Sequence, residues 1–249
     1  MHKTNFAALA LLSAACLTGM SSAATPAQKG FITGTVVNEQ GKPLPGVEID
    51  VDNTLSYDSS LITYTDAKGQ YRVDVRKLPF TFQVYAKMKL KYGDSTVNVE
   101  LVPNNPDAVA GLAGGVRDFV FKPKPVTAED PYGNLGRVFV ERGIGEYDVD
   151  TAQVQVTLTP VGTLADGSAG KARTFKLLPS GGGPVIPNVM WGKYQVTATL
   201  NGKALQIRQR TDGRTPATWG AAYTGGFTRD YNALTPSMFL EVRVPRAGD

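Results

Sequence analysis

Two runs of alternating carboxylates are the residues with the clearest capacity for chemistry. Two carboxyl groups alone can hydrolyse a glycosidic bond, so a carboxylate-only glycosidase is one hypothesis. Neither run has the Asp-x-Asp-x-Asp-Gly loop and distal Glu of a calcium-binding EF-hand. The alternating spacing puts each run on one face of a strand, and we expect solvated outer faces, with a weakly bound cation as the alternative. The runs are Glu48, Asp50 and Asp52, and Glu146, Asp148 and Asp150.

Histidine and cysteine are almost absent from the 249 residues. His2 and Cys16 are the single examples of each, and both lie near the N-terminus. Once that segment is removed, the chain has no imidazole base, no thiolate nucleophile and no disulfide. We therefore expect no catalytic residue, no metal site and no cofactor.

The first 24 residues have the pattern of a secretory signal peptide. Lys3 provides a positive end, residues 6–16 are apolar or small, and Ala23 and Ala24 offer a cleavage site. The apolar run is too short to span a bilayer as a helix. The sequence predicts a secreted or periplasmic protein without a membrane span, and lipid attachment through Cys16 is a minor alternative.

The formal net charge of +4 comes from scattered basic residues. The densest basic stretch is Lys87-Met88-Lys89-Leu90-Lys91, which has no interleaved aromatic residues. Its three lysines share one face of a predicted strand, and such a face discourages pairing at a sheet edge. An anion site is the alternative, but nothing in the pattern favours a nucleic acid as partner.

Four aromatic residues lie in a long segment between predicted strands, residues 211–235. Exposed rings on such a segment can stack on sugars or anchor a protein partner. Alternatively, the segment folds over the core and the rings become buried. The candidate binding residues are Trp219, Tyr223, Phe227 and Tyr231.

The elements that position the candidate side chains are predicted strands, which the sequence shows as short runs with apolar residues at every second position. Such runs recur throughout the chain, with Gly, Asn, Asp and Pro between them, so the sequence predicts an all-β protein. Asn201-Gly202 predicts a hairpin that joins residues 194–200 to 204–208. Residues 106–112 are the one place where we expect a short helical turn. The predicted divisions are a signal peptide at 1–24, a linker at 25–30, a first β-sandwich at 31–121, a Pro-rich linker at 122–135 and a second β-sandwich at 136–246.

Three linked motifs in the first half resemble the carboxypeptidase regulatory-like family. They are Gly34-Thr35-Val36, then Gly41-Lys42-Pro43-Leu44-Pro45-Gly46-Val47, then Thr65-Asp66-Ala67-Lys68-Gly69-Gln70-Tyr71. The resemblance covers about residues 30–90 and implies a transthyretin-like β-sandwich without catalytic activity. Residues 186–196 are similar to a prealbumin-type hairpin, which implies a second prealbumin-like or immunoglobulin-like sandwich. Residues 53–59, 103–121 and 159–171 also look like those of uncharacterised exported bacterial proteins that carry one such domain and a second β domain.

The function that these observations predict is an exported, non-catalytic binding or structural module of the cell envelope. Its expected partner is a carbohydrate or another envelope protein. The carboxylate-only glycosidase is one alternative, and a small-ligand carrier of transthyretin-like type, which requires a cavity, is another. The sequence leaves open the oligomeric state and whether the second domain shares the topology of the first.

Overall fold

A computed structural model describes residues 27–211, 217–229 and 235–246. The predicted signal peptide with Ala23 and Ala24, the lipid-attachment alternative at Cys16 and the candidate residue Tyr231 lie outside these ranges. No helix in the described ranges is long and apolar enough to cross a membrane.

The described chain is almost entirely β-structure and forms two sandwiches in succession, which confirms the predicted fold class. The first sandwich contains β1 (Phe31–Asn38), β2 (Glu48–Asn53), β3 (Ser60–Tyr64), β4 (Gln70–Asp74), β5 (Thr81–Tyr92), β6 (Ser95–Glu100), β7 (Val102–Pro103), β8 (Val109–Ala110), β9 (Gly115–Val116) and β10 (Phe119–Phe121). The second contains β11 (Gly136–Arg142), β12 (Val154–Val161), β13 (Arg173–Lys176), β14 (Val185–Val189), β15 (Lys193–Leu200), β16 (Lys203–Ala204), β17 (Gln206–Gln209), β18 (Tyr223–Gly225) and β19 (Ser237–Arg243). A 3₁₀ helix, Thr151–Gln153, precedes β12.

The two sandwiches repeat one topology, which answers a question that the sequence leaves open. One sheet has the order β4-β1-β10-β7 in the first sandwich and β14-β11-β19-β17 in the second. The facing sheet has the order β3-β2-β5-β6, with β8 also on β5, and its counterpart is β13-β12-β15-β16, with β18 on β15. In each sandwich the first strand pairs in parallel with the last and antiparallel with the fourth.

Asp66 and Gly69 form the tight turn that precedes β4. Asp66 Oδ1 accepts hydrogen bonds from the backbone N–H groups of Lys68 and Gln70, both at 2.8 Å, and Gly69 has a φ of 69°. A side-chain carbon at Gly34 would collide with the backbone carbonyl of Arg117, so β1 needs glycine at this position.

One local expectation for the second half holds only in part, and two others are wrong. The Asn201-Gly202 hairpin forms, with φ of 51° and 79°, but residues 203–209 divide between β16 and β17 in different sheets. Residues 106–112 contain the short strand β8 and a turn instead of a helical turn, since Val109 is buried and pairs with Phe82 on β5. The run that contains Glu146 is a loop before the 3₁₀ helix and has no strand alternation.

The two sandwiches share part of one apolar core. The first has its own cluster, centred on residues such as Ile32, Ile49 and Phe82. Its β5–β6 hairpin, however, extends beyond that cluster, and Leu90, Val97 and Val99 are buried in the core of the second sandwich. The hairpin is therefore an element of both domains.

Hydrogen bonds hold the connecting segment between the sandwiches. Asn134 Nδ2 donates to the carbonyls of Glu100 (2.7 Å) and Lys122 (3.1 Å), and Asn134 Oδ1 accepts from the N–H of Lys124 (2.8 Å). Asn188 Oδ1 accepts from the Asn134 N–H at 3.1 Å, and its Nδ2 donates to the Lys124 carbonyl at 2.7 Å. The two asparagines thus join the β6 edge, the connecting segment and the second sandwich.

Replacing Asn134 with alanine should destabilise the protein more than replacing an asparagine in an exposed turn. Asn134→Ala removes three hydrogen bonds, and a typical hydrogen bond contributes about 0.5–1.5 kcal/mol to stability. Asn105→Ala is the matched control, because Asn105 is exposed and its side chain accepts one bond, from Asp107. Urea unfolding followed by circular dichroism measures both changes. Equal losses for the two variants would contradict the joining role of Asn134.

Candidate ligand-binding cleft

A cleft of about 640 Å³ lies between the two sandwiches. Ligand sites commonly have volumes of 300–1,000 Å³ and lie at domain interfaces. On the first sandwich, the wall consists of the Asn38–Gln40 turn, Met88 and Leu90 of β5, and residues 121–123. On the second sandwich, it consists of parts of β12 and β13, the loop at 164–171, residues 188–190 and Tyr194.

The floor of the cleft is apolar and adaptable. Met88, Phe121, Phe175 and Met190 are half-buried and pack against the shared core. Methionine side chains are flexible and polarisable, so they conform to apolar surfaces of different shapes. Phe175 points toward the core side of β13, because it pairs with the buried Val156. The floor can therefore contact an apolar group of a ligand.

Short turns with internal hydrogen bonds form the rim. Asn38 Oδ1 accepts from the N–H groups of Gln40 (3.0 Å) and Lys42 (2.9 Å). Asp166 Oδ1 accepts from Ser168 N–H (3.0 Å) and from its hydroxyl (2.8 Å). Side-chain bonds of this kind stabilise each turn in the conformation that lines the opening of the cleft.

The charges around the rim are mixed, with a small excess of cations. Lys122, Lys171 and Arg173 line the cleft, together with Glu39 and Asp166. The Arg173 guanidinium lies 5.1 Å from the centre of the Phe175 ring, an arrangement that leaves a cation beside the apolar floor. A polar or anionic group at the entrance would be attracted more than repelled.

Tyr194 lies in the inner wall and stays protonated over a wide pH range. Its hydroxyl donates to the Met190 carbonyl at 2.7 Å, and the side chain is buried. Burial, with a smaller contribution from the Asp166 carboxylate, raises the pKa of Tyr194 to about 12. The hydroxyl therefore serves as a neutral donor that holds the 190–194 turn.

The structure separates the four aromatic residues of the 211–235 segment. Trp219 is half-buried, with the guanidinium groups of Arg208 and Arg243 over its ring at 4.2 and 4.8 Å from the ring centre. Phe227 is buried with its ring edge-on to Tyr194, and Tyr223 is half-buried against the shared core, where burial raises its pKa. The described rings do not form one exposed platform, and ligand binding by them stays a prediction.

The first carboxylate run and the lysine run meet on one sheet face. Because β2 pairs with β5, Lys87 Nζ lies 3.2 Å from Asp50, and Lys89 Nζ lies 3.5 Å from Glu48. Glu48 and Asp50 are consequently half-buried instead of fully solvated. Two ion pairs therefore link the two runs, a pairing that the spacing within either run cannot reveal.

The second carboxylate run lies beside an open hollow of about 620 Å³. Glu141, Asp148 and Asp150 line the hollow, and Glu146 pairs nearby with Arg246. Asp150 Oδ1 accepts from the Ala152 N–H at 3.0 Å at the start of the 3₁₀ helix, and Glu141 pairs with Arg210 at 2.8 Å. Within the described residues, no group of three or more His, Cys, Asp or Glu side chains is arranged to hold a metal ion.

Sequence analysis missed the cleft, although one of its walls had a signal. The apolar alternation of β5 continues through Met88 and Leu90 to Tyr92, well beyond the length of a typical strand. The lysines indicate that one face of this part of β5 is solvated. The apolar residues between them, Met88 and Leu90, indicate equally that the other face is buried against a second surface. The opposite wall depends on loops of the second sandwich and had no comparable signal.

Comparisons with known proteins do not identify a family. No family model matches the chain, and no curated protein matches it, so the carboxypeptidase regulatory-like resemblance is not confirmed at that level. Similar solved structures include the Bacillus anthracis TIE protein (12% identity, TM-score 0.32, 87% of this chain and 34% of that one). Others are a proposed polysaccharide-binding protein from Bacteroides thetaiotaomicron (12% identity, TM-score 0.28, 70% and 78% covered) and the shaft pilin SpaA of Lactobacillus rhamnosus GG (13% identity, TM-score 0.24, 88% and 99% covered). The chain spans about a third of the length of the TIE protein, and none of these likenesses is close enough to assign a function.

Replacing Tyr194 with phenylalanine should change how stability depends on alkaline pH. The unfolded chain ionises tyrosine near pH 10, whereas the folded chain keeps Tyr194 protonated until its pKa of about 12. The stabilisation that Tyr194 contributes is therefore complete below pH 10 and declines as the pH rises toward 12. The free energy of unfolding is measured for the wild type and for Tyr194→Phe at each pH. The difference, wild type minus variant, should fall between pH 10 and pH 12. Tyr147→Phe, at an exposed tyrosine, provides the baseline, and a difference independent of pH would contradict the assignment.

Proposed function

We propose that this chain is an exported, non-catalytic binding module and that its ligand occupies the cleft between the two sandwiches. The observation that carries the proposal is the combination of an apolar floor and a polar rim in one cleft of about 640 Å³. Export rests on the N-terminal sequence pattern. The proposal is closest to the small-ligand carrier among the sequence hypotheses, with the site between domains instead of between sheets.

The chemistry of the cleft favours an amphiphilic ligand. Met88, Phe121, Phe175 and Met190 would contact an apolar body, and burial of apolar surface supplies the main free energy of binding. The cations at the rim would contact a polar or anionic head group. A ligand that is polar throughout would leave the floor without complementary contacts.

The ionised side chains give catalysis less support than binding. Among the described residues, the carboxyl groups whose pKa is displaced are Asp74, Glu129 and Asp130, and hydrogen bonds to each carboxylate lower the pKa in all three. A glycosidase acid needs the opposite shift, so that it remains protonated at neutral pH. In the open hollow, Glu141 and Asp150 already have partners.

Carbohydrate or protein contact through the 211–235 segment is less well supported. Phe227 is buried, and two guanidinium groups lie over the Trp219 ring. A sugar that stacks on Trp219 would have to displace at least one of these groups. A glycan or protein partner therefore ranks behind an amphiphile in the cleft.

Filling the cleft should abolish binding of an apolar probe. Ala165 is half-buried and lines the cleft, so Ala165→Trp places an indole in the site. The enhanced fluorescence of N-phenyl-1-naphthylamine reports binding, and we expect at least a tenfold weaker affinity for the variant. Ala222→Trp, at an exposed position outside the cleft, should bind like the wild type.

Competition distinguishes the ligand classes in the same assay. Dodecanoate should displace the probe from the wild type, whereas maltotetraose should not. Displacement by maltotetraose would favour a carbohydrate ligand. Equal probe binding by Ala165→Trp, Ala222→Trp and the wild type would remove the cleft as the site, provided that calorimetry shows all three proteins folded.

A further inference from the structure

The sheet β3-β2-β5-β6 has two edges, and the second sandwich covers one of them. The backbone carbonyl of Thr96 on β6 accepts from Arg229 at 3.1 Å, and that of Glu100 accepts from Asn134 at 2.7 Å. These donors bond to two of the carbonyls that β6 directs away from β5. The opposite edge is β3, which ends the strand order of the sheet.

The outward backbone groups of β3 belong to Ser60, Ile62 and Tyr64. Ser59 and Thr65 flank β3. The Ser59 carbonyl accepts from Asn53 at the end of β2, and the backbone groups of Thr65 bond to Gly46 and Val47, which precede β2. Because hydrogen-bonding direction alternates along an antiparallel strand, the N–H and C=O groups of the even-numbered residues point away from the sheet. The side chains of all three residues are exposed as well.

Compared with the other edges, β3 lacks the features that protect a strand from pairing. Charges interrupt β4 (Arg72, Asp74) and β13 (Arg173, Lys176), while β7 and β14 contain prolines. Charged residues and proline at an edge discourage the addition of another strand. The sequence of β3, Ser-Leu-Ile-Thr-Tyr, has neither, and Ile62 and Tyr64 are 51% and 55% exposed.

The strand is complementary to itself. A two-fold axis at Ile62 places Ser60 opposite Tyr64 of a second copy and Ile62 opposite its own equivalent. All of these residues have outward backbone groups, so three pairs could each exchange two hydrogen bonds. We propose that β3 pairs antiparallel with β3 of a second copy of this chain and joins two sheets into one.

Charge within the strand does not oppose this pairing. Two residues beyond its ends, the register brings Asp58 toward Asp66 of the second copy, where backbone N–H groups of Lys68 and Gln70 already bond to the Asp66 carboxylate. The next ionised row is that of Glu48, Asp50 and Asp52 on β2. In the paired sheet, the two β2 strands would be three strand spacings apart, or about 14 Å. That distance exceeds the screening length of about 8 Å at physiological ionic strength. In addition, Lys87 and Lys89 already pair with Asp50 and Glu48.

Cysteine cross-linking tests both the contact and its register. In the full chain carrying Cys16→Ser, Ile62→Cys should form a disulfide-linked dimer at least tenfold faster than a matched control. Paired Cα atoms at the two-fold axis would lie about 5.5 Å apart, within the range that a disulfide spans. Tyr85→Cys is the control, because Tyr85 is exposed and lies on the strand beyond β2, next to Asp50.

Sedimentation equilibrium gives a second, independent result. The wild type should show a mass that rises with concentration toward that of a dimer, and Ile62→Lys should remain monomeric. A wild type that stays monomeric would overturn the proposal, as would a dimer that persists in Ile62→Lys. Equal cross-linking rates for Ile62→Cys and Tyr85→Cys would also overturn it.

Discussion

Burial of the β5–β6 hairpin in the second sandwich is the interaction on which the rest of the structure depends. Leu90, Val97 and Val99 lie on strands of the first sandwich, but their side chains pack in the core of the second. Full burial of side chains of this kind contributes about 1.5–3 kcal/mol each. Three such residues supply a free energy comparable with the whole net stability of a small domain. Separation of the sandwiches would expose them to water, so we infer that the two domains behave as one body.

Polar contacts then determine the relative orientation that the apolar contacts leave undefined. The Tyr92 hydroxyl, near the tip of the hairpin, accepts from the Phe227 N–H at 2.8 Å and lies 3.4 Å from the Gly192 carbonyl. Asn134 and Asn188 fix the connecting segment on another part of the interface. Hydrogen bonds are directional whereas apolar contacts are not, so these groups select one arrangement. The cleft is the space that this arrangement leaves between the walls, and its shape exists before a ligand arrives.

Local patterns in the sequence predicted the fold class because strands and turns depend mainly on near neighbours. Alternation predicted strands throughout the chain, β15 among them, and the Asn201-Gly202 turn formed as expected. Trp191 is fully buried, and its indole N–H donates to the Pro236 carbonyl.

The wrong or missed features depend on contacts between distant residues. Spacing alone could not show that the lysines of β5 lie beside the carboxylates of β2, or that Phe227 packs against Tyr194. The cleft is the extreme case, because its two walls come from separate sandwiches. Only the length of β5 indicated that the first sandwich had a second apolar surface to bury.

Differential scanning calorimetry of the full chain tests most directly whether the shared core makes the sandwiches a single unit. If Leu90, Val97 and Val99 join the two cores, heating should give one transition whose calorimetric enthalpy equals its van't Hoff enthalpy. Leu90→Ala should lower the temperature of that single transition. Two separate transitions, with Leu90→Ala shifting one of them alone, would show that the sandwiches unfold independently. That result would contradict a cleft with fixed walls.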